Sequence, residues 1–148
     1  MAKRSRQPKA FLACYLVVIK GGDRIFLMRR NGTGFRDGDY SMIAGHVEDN
    51  ETVFDAMVRE AKEEAGLALD PKRLRMIHIL HRQDIDREYV DFFLSCDIEE
   101  EPRNMEPEKC DDMGWFDMKN LPTNIVPYVK VAIDCIGKGE FYSEYLSK

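Results

Sequence analysis

The sequence predicts an α/β domain, a mixed β-sheet with helices on its faces. Three observations carry this. Apolar β-branched and aromatic runs alternate with turn residues early in the chain. One well-punctuated helical stretch follows, and a second helical stretch comes near the end, after two more strand-like runs. At 148 residues the chain is the size of one ordinary domain. With 44% hydrophobic and 33% charged residues it has globular composition, and it is long enough to bury a core without metal or disulfide staples.

Residues 1–9 are polar and basic and contain Pro8, and are expected to form a mobile tail ahead of a single domain spanning 10–148. Phe11–Ile19 reads as a buried strand, Gly21-Gly22-Asp23 as a turn and Arg24–Arg30 as a second strand. Residues 31–39 hold three glycines and two aspartates, which is loop composition. A short strand-like piece, Tyr40–Ala44, runs into Gly45. A helix is expected over Thr52–Ala65, opened by Asn50 or Glu51-Thr52 and stopped at Gly66, with Val53, Ala56, Met57 and Ala61 as its apolar stripe. Asp70-Pro71 breaks the chain. Two strands follow over Leu74–Arg82 and Tyr89–Asp97, joined by the polar turn Gln83–Glu88. Residues 99–112 are acidic, contain Pro102 and Pro107, and read as loop. Met113–Phe116 reads as a short strand and Ile125–Ile136 as the last helix.

Charge and cysteine usage exclude several classes. Acidic residues number 27 and basic residues 22, a formal net charge of −5, so a protein built mainly to grip nucleic-acid backbone is not expected. The basic head of Lys3, Arg4, Arg6 and Lys9 is too small to change that. The longest apolar run, Ala10–Ile19, falls well short of the roughly 20 residues that span a bilayer. No small-residue cleavage site follows it, which argues against a signal peptide. Cys14, Cys96, Cys110 and Cys135 are far apart and form no C-x-x-C pair, so reduced thiols in a cytoplasmic protein are expected.

One segment carries chemistry. On the expected helix Glu60, Glu63 and Glu64 fall within an arc of roughly 100°. Like charges at that spacing repel, and they lie near the helix C-terminus, where the macrodipole disfavours negative charge. A solvated acidic face is one reading. A site for a hard divalent cation, Mg²⁺ or Mn²⁺, is the other. The surroundings favour the second: Gly45 ends a strand where bare backbone can approach a ligand, Arg59 stands one helical turn from Glu63, and Gly66 stops the helix just past the carboxylates.

The segment Gly45–Leu67 resembles the Nudix hydrolase signature, G-x5-E-x7-R-E-U-x-E-E-x-G-U, with U a bulky aliphatic residue. Gly45, Glu51, Arg59, Glu60, Glu63, Glu64, Gly66 and Leu67 match, while Ala61 is smaller than the usual residue. Seven fixed positions match by chance at roughly 10⁻⁸ per start point. The resemblance implies a Nudix-type α/β/α sandwich. It implies Glu60 and Glu64 as main metal ligands, Glu63 contributing directly or through a water, and the Gly45 carbonyl completing the coordination. Arg59 and Glu51 would orient them. It further implies attack by water on a diphosphate link in a nucleoside diphosphate joined to some group X, with Mg²⁺ as cofactor and Mn²⁺ as a substitute.

Outside the signature the candidates are Arg29 and His46 for phosphate, and Ser41, Tyr15, Phe92 and the stretch Asn124–Tyr128 for the nucleobase. Glu106-Pro-Glu108-Lys-Cys110 looks like a segment of triphosphate-acting members, with Glu108, or less favourably Glu106, supplying an extra carboxylate at the metal. Trp115 and Phe116 read as core. His78 and His81, three apart on a strand, point to opposite faces and are not read as ligands. The markers of the ADP-ribose, dinucleoside-polyphosphate and coenzyme A subclasses are absent around Leu80–Ile85 and Phe26–Gly34. The sequence therefore points to a MutT-like triphosphate pyrophosphohydrolase, with a nucleotide sugar hydrolase as the alternative and a non-catalytic nucleotide-binding module as a lesser one. The expected partners are a small nucleotide and, as a possibility, a second copy of the chain, with neither nucleic acid nor membrane.

Overall fold

The structure, a computed structural model, describes residues 7–147. Lys3, Arg4 and Arg6 of the basic head lie outside the described residues. The expected mixed sheet between two helices is present, and a second sheet stands beside it, because two apolar runs each change sheet part-way. The first run forms β1 (Phe11–Val17), then crosses at Val18 into β2 (Ile19–Lys20). The second forms β4 (Tyr40–Ser41), crosses at Met42 and continues as β5 (Ile43–His46). Between them lies β3 (Arg24–Arg30). Strands that switch sheets in this way form the corners of a sandwich.

The first sheet has five strands in the order β5-β1-β7-β6-β9, where β6 is Arg75–Gln83, β7 is Glu88–Ser95 and β9 is Tyr142–Leu146. It is mixed: β1 and β7 run parallel, as do β6 and β9, and the other pairs are antiparallel. In the second sheet β3 pairs with β8 (Cys110–Asp117) on one side and with β2 and β4 on the other. Strand β8 is longer than the expected Met113–Phe116. Strand β9 was not expected, because its exposed and half-buried residues alternate without an apolar stripe.

Helix α1 (Val53–Ala65) packs on one face of the five-stranded sheet and α2 (Pro127–Gly137) on the other. Period-2 alternation sorts β1 and the following Val18 between them: Ala13, Tyr15 and Val17 join the α2 cluster, and Cys14, Leu16 and Val18 join the α1 cluster. Burial on both faces explains why the run is continuously apolar. The ends of α1 are set locally. The Thr52 hydroxyl accepts from the Asp55 N–H while the Asp55 carboxylate accepts from the Thr52 N–H, and Gly66 takes the left-handed conformation, φ 67°. Helix α2 starts at Pro127 rather than Ile125, since proline suits a first helical position. The four cysteines are free, and no described helix is long and apolar enough to cross a membrane.

Candidate functional site

Strand β5 delivers Gly45 to the edge of the sheet, directly under α1. Its register partner on β1 is Cys14, so the position of the missing side chain faces the helix. A Cβ there would lie 2.1 Å from Glu60 Cδ and 2.2 Å from its Oε1, so only glycine lets the carboxylate lie against the backbone. One residue earlier, the Ala44 N–H donates to Glu64 Oε1 at 3.0 Å. The thiol of Cys14 donates to the Gly45 carbonyl at 3.5 Å. Burial pushes that thiol up to about 12, so it stays protonated and unreactive.

Arg59 organises the outer half of the cluster. Its Nε and Nη2 grip the two oxygens of Glu51 at 2.7 and 3.0 Å, a bidentate pair. Nη1 donates to Glu60 at 2.8 Å and to Glu63 at 3.3 Å, and Nη2 reaches the His46 carbonyl at 3.0 Å. One guanidinium thereby ties α1 to the loop after β5. The Arg59 bonds, with a further bond from the Glu48 N–H, hold the Glu51 carboxyl down at about 2.

Glu64 behaves in the opposite way. Burial is the main cause that pushes its carboxyl up to about 8, and the neighbouring charges of Glu60 and Glu106 add to it. Burial also raises Glu60, against the lowering effect of Arg59. Two half-buried carboxyls side by side, each raised above the ordinary carboxylate value, would be eased into ionisation by a cation between them. Glu60 is 13% exposed and Glu63 51%, so Glu63 stands at the outer rim. Among the described residues no three acidic, histidine or cysteine side chains already converge as a finished cage. Glu60 and Glu63 are turned toward Arg59 instead. The donor set is nonetheless all oxygen, two carboxylates and a backbone carbonyl with a third carboxylate at the rim, which fits Mg²⁺ or Mn²⁺.

The carboxylates open into a cleft of about 950 Å³. Its floor crosses the α2 face of the sheet through Ala13 and Tyr15 on β1, Tyr89 on β7 and Arg82 on β6. Arg29, Arg30 and Ser41 from the second sheet, Phe35 from the loop after β3, Val126 just before α2 and Tyr128 within it line the rest. Of the residues expected to bind substrate, Tyr15, Ser41, Arg29 and His46 all line this cleft. Tyr15 and Ser41 are buried, and Tyr15 stacks on Phe93. Arg29 is engaged by Asp111 at 2.7 Å. His46 stacks on Phe11.

Two expectations need correction. Phe92 does not face the cleft. It pairs with Cys14 and packs in the α1 cluster, while its neighbours Asp91 and Phe93 take the α2 face. Glu108 is exposed and outside the cleft, whereas Glu106 lines it and acts on Glu64. The cause is backbone pairing. The Arg103 and Met105 N–H groups donate to the Ala65 and Glu64 carbonyls at the end of α1, and the Asn104 carboxamide accepts from the Glu106 N–H. This places Glu106 beside Glu64 and leaves Glu108 to solvent. Trp115 and Phe116 pack against the two cores, and His78 and His81 take opposite faces.

Comparison with known proteins agrees with this fold. The NUDIX domain pattern matches residues 10–133. The chain belongs to the NUDIX family. It is 30% identical over 120 residues to an ADP-ribose pyrophosphatase of Methanocaldococcus jannaschii, covering 79% of this chain and 68% of that one. It is 29% identical over 127 residues to the NAD-capped RNA hydrolase NudC of Shigella dysenteriae, covering 84% of this chain. The match takes in only 46% of that relative, so the chain spans less than half its length. Among solved structures it resembles a MutT NUDIX hydrolase of Burkholderia pseudomallei, with TM-score 0.77 and 26% identity, covering 85% of this chain and 97% of that one.

The NUDIX signature left one cluster unread. Arg82 is 3% exposed. Its guanidinium lies 3.9 Å from the ring centroids of both Tyr89 and Tyr128 and is bonded to the fully buried Asp91. The available signal was the alternation His78-x-Leu80-x-Arg82, which puts an arginine on the same strand face as core leucine.

Proposed function

We propose that this NUDIX chain is a divalent-metal-dependent pyrophosphohydrolase that cleaves a diphosphate link in a nucleoside diphosphate joined to a group X. The leading substrate is a nucleoside triphosphate, giving the monophosphate and pyrophosphate. One observation carries the reading: Glu60, lying against a glycine that leaves room for it, and Glu64, bonded to the preceding Ala44 N–H, stand half-buried side by side at the end of a cleft large enough for a nucleotide.

Glu60, Glu64 and the Gly45 carbonyl would hold Mg²⁺ or Mn²⁺, with Glu63 at the rim. A cation bound there supplies Lewis acidity and a water of lowered pKa. Arg59 keeps Glu51 and Glu60 in place by charge-assisted hydrogen bonds and thereby fixes α1 against the loop after β5. Glu106 lines the same end of the cleft, close enough for its charge to act on Glu64, and would accept a proton there. Lys109, Arg29 and Arg30 line the wall and supply positive charge for the phosphates.

A triphosphate as substrate is supported by Glu106 of the Glu106–Cys110 segment standing at the carboxylates and by the likeness to the MutT NUDIX hydrolase. A second reading, in which X is a sugar, is favoured by the 30% identity to an ADP-ribose pyrophosphatase, although that subclass's marker proline is missing. The intact set of glutamates weighs against a binding module that has lost catalysis. The test is a panel of nucleoside triphosphates, ADP-ribose, sugar nucleotides and dinucleoside polyphosphates, assayed with Mg²⁺, with Mn²⁺ and with EDTA. Turnover that needs the metal supports the proposal. Hydrolysis that is indifferent to exhaustive chelation, or none on any member, overturns it.

A further inference from the structure

The cleft has a second end, which the phosphate chemistry does not use. From β5 to β6 the floor crosses three inter-strand steps, about 14 Å at about 4.8 Å each, which is more than a diphosphate covers. At the far end the Arg82 guanidinium fills the slot between Tyr89 and Tyr128, so nothing planar from a ligand can enter there. Three of its five N–H donors are engaged, and the residue is only 3% exposed. Nε and Nη2 bond to Asp91 at 2.8 and 3.2 Å, and Nη1 bonds to Asp84 Oδ2 at 3.0 Å. Arg82, buried and shared between two carboxylates, acts as a clamp rather than as an open phosphate site.

What this arrangement holds out is Asp84, on the turn between β6 and β7. Asp84 lines the cleft, is 26% exposed at its side chain, and is fixed both by Arg82 and by its own N–H donating to the Arg87 carbonyl at 2.8 Å. Its Oδ1 accepts no hydrogen bond among the described residues. A fixed carboxylate with a free oxygen accepts hydrogen bonds and repels anions. Asp86 and Arg87 share this end of the cleft, and their charges offset each other.

We infer that Asp84, clamped by Arg82, is a specificity-determining residue: it accepts a hydrogen bond from an uncharged, donor-bearing part of the substrate and keeps phosphate away from the β6 end. The inference rests on the pyrophosphohydrolase reading and deepens it. The shared chemistry is a hydroxyl or amino donor, and its source is either the nucleoside or a sugar as group X.

The test compares wild type with Asp84→Leu, Asp84→Asn and Arg82→Lys, using ATP and ADP-ribose, in steady-state kinetics with Mg²⁺ and in calorimetric binding with EDTA. The binding arm does not depend on turnover, so a failure of the enzyme reading remains distinguishable. In Asp84→Leu, KM and Kd should rise at least tenfold with kcat within about twofold. A rise for both ligands assigns the donor to the nucleoside, and a rise for ADP-ribose alone assigns it to the sugar. Asp84→Asn, which keeps a carbonyl acceptor, should recover most of the loss. Arg82→Lys should reproduce the KM increase, because an ammonium cannot fill the slot and hold Asp84 together. Unchanged KM and Kd in a folded Asp84→Leu protein overturn the inference. So does a fall in kcat alone, and so does a wild type that binds neither ligand. If Asp84→Leu does not fold, Asp84→Asn and Arg82→Lys decide. An Arg82→Lys protein that loses stability with unchanged Kd shows a structural role only.

Discussion

Glu64→Gln should make the metal-free protein more stable while abolishing turnover, and the sign of the stability change depends on pH. The ordinary carboxyl value is 4.5 and that of Glu64 in the fold is about 8. Below pH 4.5 the group is protonated folded and unfolded alike and contributes nothing. As pH rises from 4.5 toward 8 the unfolded chain ionises while the fold retains the proton, so stability falls, and above 8 the full penalty is present. One pKa unit is about 1.4 kcal/mol, so the ceiling is about 5 kcal/mol. Side-chain relaxation around Glu60 recovers part of it, which leaves about 1–3 kcal/mol, or roughly 3–10 °C in Tm for a chain this size. Glutamine keeps the carbonyl that accepts from Ala44 and removes the charge. Thermal unfolding in EDTA at pH 5 and pH 8.5 is the assay. The variant should exceed wild type slightly at the lower pH, where the unfolded carboxyl has begun to ionise, and by the larger margin at the higher. Mg²⁺ should stabilise wild type but not the variant, and wild-type Mg²⁺ affinity should climb with pH until Glu64 ionises on its own. Equal pH dependence in the two proteins, or a variant less stable at pH 8.5, refutes the account of a buried carboxylate awaiting a cation.

Gly45→Ala puts a methyl group where Glu60 Cδ lies, so Glu60 must swing away. Mg²⁺ affinity is expected to drop at least tenfold with the circular dichroism spectrum unchanged, as read by metal titration. Arg59→Lys cannot keep the paired bonds to Glu51 together with those to Glu60 and His46, and turnover should fall about 10- to 100-fold. A kinetic assay across Mg²⁺ concentrations checks this, and wild-type behaviour counts against the orienting role. With a nucleoside triphosphate, chromatography should show the monophosphate and pyrophosphate as first products. A diphosphate with orthophosphate would remove the MutT-like reading and leave metal-assisted hydrolysis standing.

The parts of the fold that could be read from sequence are those whose causes are local. The reciprocal cap of Thr52 and Asp55 and the left-handed Gly66 bound α1 within the few residues that define it. The strands were visible for the same reason, but their partition was not. Val18 and Met42 are apolar and buried like the adjoining Val17 and Ile43, and the change of sheet at each depends on which distant strand takes the hydrogen bonds. Strand β9 escaped because Tyr142–Leu146 is an edge strand with every second residue exposed, whose pairing with Ile79–Gln83 is fixed by the fold.

The site divides along the same line. Glu51, Arg59, Glu60, Glu63 and Glu64 were legible because a helix converts sequence spacing directly into a shared face, and Gly45 because nothing larger fits against Glu60. Glu106 and Glu108 are equivalent as sequence, and the choice between them is made by the carbonyls that α1 leaves unpaired at its end, which bind the backbone of residues 103 and 105. Phe92 failed for a parity reason: shifting one residue along a strand reverses the face, and only the Tyr15–Phe93 and Cys14–Phe92 registers decide which aromatic takes the α2 face and which the α1 face. Arg82 and Asp91 carry the lesson furthest. Each is an ordinary charged residue in sequence, yet alternation already placed them on core-facing positions of adjacent strands. A charge on such a face needs a partner to be stable there. Two opposite charges on neighbouring buried faces therefore predict one another, and a search for such pairs would have found this end of the cleft before any coordinates.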